Sequence, residues 1–389
     1  MDRPSIKVNQ KRIPTHVNVG GASSDGGKSA GEAINEVVSV AKMKAVLLQL
    51  RSRTLLTAAP AAALAYPFVL KAFNEAITAP NIDMRVSATA FAAAFTLLLA
   101  FVLPLATLMI TLRFAELETL TPAQLRAKRV AFFSVAAPTI FVFLGVLTYM
   151  AGHSAADLAI WVVFWIAVIA FVALGDNTKP ASVVTKPIAP ALRVAHGVSA
   201  AAIVAIFLGF HISNHLLGLV GPDAHTAFMK IGRHVYRNVV IQPILVGLFF
   251  FQVGSGLYLA TRYMAAPMDR FRAFQIASGV YLAFYVVGHM DSVFVFARTF
   301  LGIDTDWGFA TGAPTGLLKD PWNIRLVPHY ALGIFFVLGH LAAGLRIVLL
   351  SHGARKQAAD RVMVGGAIAA GLIATAIILA MCGLRLPFA

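Results

Sequence analysis

Three histidines, His211, His289 and His340, stand deep inside long apolar runs. An imidazole there has no water to hydrogen-bond, and ionisable groups inside a bilayer are costly and default to function. His196 lies nearer one end of such a run, and His329 at the end of another. Of the 11 histidines, only His16 and His153 precede residue 190. A lone buried histidine is met by a hydrogen bond to a neighbouring helix. Several on different helices, with hardly a carboxylate among them, call for another account. A proton path would recruit carboxylates, and these runs offer little beyond Asp291. Neutral imidazoles facing one another across a bundle suit axial ligation of haem b.

Spacing adds a second constraint. His196 and His211 are 15 residues apart, about 22 Å of helical rise and about 60° off one face. One helix can therefore present a ligand at each of two levels. Glycines accompany these positions: Gly254 and Gly256, Gly279, Gly288 before His289, and Gly339 before His340. A flat macrocycle approaches a helix where side chains are missing, and close helix packing uses glycine in the same way. His215, four residues after His211 and near the same face, is placed to hydrogen-bond a quinone carbonyl or a haem propionate. Arg298 and Arg325 are placed to pair with propionates or to sit as solvated loop charge.

The elements that must position these groups are membrane helices. Of 389 residues, 59% are hydrophobic and 13% charged, far from the balance of a soluble domain. That excludes a soluble enzyme, a disordered chain and a fibre. One cysteine, Cys382, excludes an intrachain disulfide, a CxxC zinc site, a cysteine-ligated iron–sulfur cluster and covalent CxxCH haem attachment. Nine spans are read, at roughly 54–73, 86–112, 130–151, 155–174, 189–219, 235–261, 272–300, 327–350 and 362–384. The fold class expected is an all-α polytopic membrane protein. Residues 1–53 form a cytoplasmic tail with an amphipathic helix over 32–53, residues 54–180 a four-span region, and residues 189–384 a five-span haem-binding bundle. A cytoplasmic N-terminus places 23 of the 32 Lys and Arg on the inner side, as the positive-inside rule favours. The net charge of +15 thus reads as basic cytoplasmic loops, not nucleic-acid binding. The C-terminus is expected outside, the location a bacterial inner membrane, and no cleavable signal peptide is read near Met1. Trp307 and Trp322 are expected at the membrane interface. No internal repeat, GxxxxGK[ST] or GxGxxG is read along the chain.

Residues 190–384 resemble the five-span membrane-anchor cytochrome b of succinate dehydrogenase and fumarate reductase. LRVAHGVSAAAIVAIFLGFHISNHL is similar to the family's first span, with His211 at the ligand position. FQIASGVYLAFYVVGH is similar to its Gln-x-x-[ST]-Gly segment, with Gln275 and, fourteen later, the ligand His289. FFVLGHLAAGL resembles the last ligand segment and gives that place to His340. The resemblance implies that His211 and His289 share the outer haem, which agrees with their depth. It departs from the family in two respects. Gln252 stands where the second span carries a ligand His, and an amide is a poor ligand beside imidazole. The inner haem is then absent, five-coordinate on His340, completed by His196, or held by Gln252 or another group. The four-span extension is the other departure.

Three functions compete on the sequence alone. One is an electron-transfer protein exchanging electrons with membrane quinone, docked to a cytoplasmic flavoprotein and iron–sulfur partner. The second is a haem-bearing redox sensor. The third is a haem-free structural subunit, or a transporter.

Overall fold

The computed structural model describes residues 55–78, 88–118, 120–175 and 187–387. The expected tail helix and most of the 180–188 boundary lie outside the described residues. Among the described residues every regular element is helical. Eight helices are long and apolar enough to cross a bilayer, and a ninth span is added if one bent pair counts as a span. The chain is thus an all-α polytopic membrane protein of about nine spans.

The helices are α1 (Leu55–Thr78), α2 (Ala88–Ala115), α3 (Pro122–Ser134), α4 (Ala137–Met150), α5 (Asp157–Ala173) and α6 (Pro190–Leu219). They continue as α7 (Pro222–Tyr236), α8 (Ile241–Tyr263), α9 (Arg270–Phe300), α10 (Trp307–Thr311), α11 (Asn323–Ser351) and α12 (Lys356–Met381). The bent pair is α3 and α4, which meet at 64°. The span expected over 130–151 falls within this pair, broken between Ser134 and Ala137. Pro138 lies in the first turn of α4 and has no N–H to give the carbonyl of Ser134, while its ring crowds that carbonyl. At the start of α3, Thr121 caps the helix, its side chain accepting from Gln124 N while Gln124 returns the bond to Thr121 N, with Pro122 at the first position.

The central helix is α9, which packs against α2, α3, α4, α8 and α11. The chain's first spans therefore brace the later ones. A core runs from Tyr66 and Phe73 through Phe141, Trp161 and Trp165 to Ile324, Ile334 and Ile377. Two buried polar contacts pin this brace. Lys128, wholly buried, donates to the carbonyls of Ala115 (3.3 Å) and Ala266 (2.9 Å). It thereby puts a cation on the C-terminus of α2 and on the α8–α9 turn, where helix dipoles favour one. Arg325 Nη1 meets Asp157 Oδ2 at 2.8 Å, with side chains 10% and 12% exposed. Arg325 also lies over the Phe141 ring, and Gly145 has no Cβ because the guanidinium occupies that space.

By contrast α6 is the least buried span. It packs along α8, and its far end meets α7 and α12, yet it has no extended packing against α9 or α11. His211 on α6 and His289 on α9 face one another across that opening. Trp307, expected at the interface, is buried within the protein against Gly218 and His225, where α10 folds over the end of α6.

Breaking a buried ion pair strands the other charge, at a cost of about 3–5 kcal/mol. Asp157→Ala is expected to lower stability by that amount in an SDS or thermal unfolding titration of the detergent-solubilised protein. Loss of under 1 kcal/mol would mean Arg325 does not tie α5 to α11.

Candidate functional site

At the α7 end of the opening, His211 on α6 and His289 on α9 face each other with ring centroids 6.0 Å apart and planes crossed at 69°. Both helices depart from α geometry beside these residues: α6 is π-wound over Val204–Leu208, and α9 over Asp291–Phe300. Such insertions are rare and concentrate at functional sites. The added residue in α6 turns the expected offset between His196 and His211 from about 60° to about 40° in the other sense. His211 stacks on Phe207 at 4.8 Å, and His289 lies parallel to Tyr285 at 5.7 Å. Gly333 leaves the space that the Tyr285 ring fills.

More imidazoles surround this pair. His215 lies 4.6 Å from His211 and 5.3 Å from His225. His329 lies 4.6 Å from Tyr285. The Nδ1 atoms of His215, His225 and His329 are buried without a hydrogen-bond partner. Among the described residues, no three His, Cys, Asp or Glu side chains converge as a metal-ion site. Two facing imidazoles could hold a haem iron between them. An imidazole nitrogen binds such a metal at about 2 Å and sits about 1 Å from its ring centroid, so two axial rings lie about 6 Å apart. The His211–His289 separation matches that spacing and is wider than the 4.6 Å ring contact beside it.

A basic cluster borders the same end. Arg233 and Arg237 lie 3.9 and 3.7 Å from Asp304, whose side chain is 73% exposed, and both reach Thr305. Arg298 lies over Phe294. The Nε atoms of all three arginines are buried and unpartnered. Tyr236 connects this cluster to the pair through Phe207, at 5.3 Å. Sequence reasoning singled out Arg298 and missed Arg233 and Arg237; their i, i+4 spacing on a helix opening with Pro222 was the available signal. Arg325, the other arginine singled out, is occupied by Asp157.

At the opposite end the opening holds His196 on α6 and His340 on α11. His340 Nδ1 lies 3.0 Å from both the Gln275 carbonyl and Ser278 Oγ, and His196 Nδ1 lies 2.8 Å from Ser255 Oγ. A Cβ on Gly279 would meet His340 Cε1 at 3.1 Å, and one on Gly256 would meet His196 Cε1 at 3.3 Å. The Gln252 amide nitrogen donates to the His196 carbonyl at 2.7 Å and to Ser199.

His225 lies on α7, outside the spans. Burial, and next the nearby Arg233 guanidinium, push its pKa down to about 4. The unfolded chain takes up this proton near pH 6.5, so the stability contributed by neutral His225 is full above that value. It is lost progressively as pH falls towards 4. Trp307 is 4.6 Å away, and an imidazolium quenches indole emission. The wild-type minus His225→Phe difference in tryptophan fluorescence is expected to titrate near pH 4. A midpoint near 6.5 would show that His225 is open to water. No family model matches the chain, and no curated protein or solved structure matches it either.

Proposed function

We propose that the chain is a haem b membrane protein that exchanges electrons with membrane quinone, as a subunit or anchor of a respiratory complex. The observation that carries this reading is the His211–His289 pair, facing across the opening at 6.0 Å. His211 and His289 would hold the haem, which would supply a one-electron iron couple. Phe207 and Tyr285 stack against the two rings and fix their planes. Arg233, Arg237 and Arg298 provide positive charge for its carboxylates at the α7 end.

The quinone contact falls to His215. Its buried Nδ1 lacks a partner, which costs about 1–3 kcal/mol unless something accepts from it. A quinone carbonyl beside His211 would do so, and Asn214, which donates to His225 Nε2 at 3.0 Å, holds the next ring in place. The resemblance to the succinate dehydrogenase and fumarate reductase anchors points to a flavoprotein and iron–sulfur partner on the cytoplasmic side. The redox-sensor reading shares the same haem site and differs in partner.

The reduced-minus-oxidised visible spectrum of the purified protein is expected to show low-spin b-type haem. His211→Ala and His289→Ala are each expected to abolish one and the same component. If either variant keeps that component in full, the pairing is wrong; if the wild type carries no haem, the function is wrong.

A further inference from the structure

The helix α7 joins two spans, yet it does not stand clear of the membrane. Asn214 on α6 bonds His225, Phe210 stacks on Phe228 at 4.3 Å, and Phe207 lies 5.3 Å from Tyr236. α7 therefore folds back along α6. His225 and Tyr236 are separated by about 16 Å of helical rise, and Asn214 and Phe207 beside them by about 10 Å. The helix is thus oblique, and its C-terminal end lies beside Phe207, within the apolar length of α6. Gly232 permits the crossing, because a Cβ there would meet the Phe210 ring.

α7 buries His225, Met229 and Gly232. Its other side carries two exposed rows. Ile231, Val235 and Val239 form one, the last of them 85% exposed. Lys230, His234 and Asn238 form the other, beside the first. The apolar row continues through Val240 to Ile244, Phe251 and Tyr258, on the exposed face of the membrane span α8. Acyl chains cover that face of a span, and the row on α7 is continuous with it.

Charge at this end selects the headgroup. Lys230 joins Arg233, Arg237 and Arg298, and Asp304 meets the two arginines of α7. Asp223 and Asp306 lie towards the other end of α7, by Pro222 and His225. Two haem carboxylates set against the arginines would still leave positive charge. A basic row beside an apolar row marks a helix that lies in the membrane interface and prefers anionic lipid.

We infer that α7 is an interfacial helix that binds anionic phospholipid. Ile231, Val235 and Val239 lie among acyl chains, and Lys230 and His234 meet the phosphate. The leaflet itself thus seats the helix that carries Arg233 and Arg237. This goes beyond the haem reading and does not depend on it.

Full-length Val235→Trp protein in nanodiscs tests the inference, its emission read against the wild type with four tryptophans. The discs hold phosphatidylcholine and phosphatidylglycerol in equal parts, with bromine on the acyl chains of one or the other. Brominated lipid is expected to quench the added tryptophan, and aqueous iodide to leave it bright. Brominated phosphatidylglycerol is expected to quench as though enriched about fivefold, the effect of one cation at a charged surface. Lys230→Glu in the same background is expected to remove that preference and keep the quenching. Iodide quenching without bromine quenching would overturn the membrane seat and leave α7 facing water and a soluble partner. Equal quenching by the two lipids, or a preference that survives Lys230→Glu, would overturn Lys230 as the headgroup contact. Neither arm reads haem, so a failure of the haem reading leaves this test standing.

Discussion

An imidazole in the hydrocarbon layer must have both ring nitrogens met, because nothing in lipid will meet them. The arrangement of α6 against α9 and α11 follows from how each ring is met. His196 and His340 have one nitrogen satisfied by a serine or a carbonyl and the other left over. His215 and His329 have a buried nitrogen that no protein group reaches. Packing α6 directly on α9 and α11 would close the opening and force these rings together. The chain instead holds α6 off by anchoring it to α8 along one side and to α7 and α12 at its far end.

That opening needs a frame that does not collapse, and the first spans supply it. α9 is fixed on its other faces by α2, α3 and α4, so its histidine face cannot rotate. Lys128 binds the end of α2 to the α8–α9 turn. Arg325 ties the start of α11 to Asp157 at the start of α5. Both contacts are buried charges spent on geometry. The first four spans, nearly free of histidine, thus act as scaffold for the five that carry it.

Much of this was legible in the sequence because hydrophobic length and rare polar residues are strong signals in a membrane protein. The spans were readable from apolar length, the pairing of His211 with His289 from their depth and the resemblance, and the second level of His196 from spacing. The break in the third span was signalled by Pro138 but hidden by the unbroken apolar run around it. The burial of Trp307 was not readable, since it depends on α10 folding back over Gly218. Arg233 and Arg237 were not singled out, because only tertiary contacts bring them to Asp304 and Thr305. The seats of His196 and His340 were not readable, since their serines lie 59 and 62 positions away on other helices.

The central claim is that protein imidazoles hold low-spin ferric iron across the α6 opening. Low-temperature electron paramagnetic resonance of the oxidised, purified protein tests it most directly. The account predicts a strongly anisotropic low-spin ferric signal, as steeply crossed ligand planes produce, from the site where His211 and His289 cross at 69°. A purely high-spin signal, or no ferric signal, would contradict it.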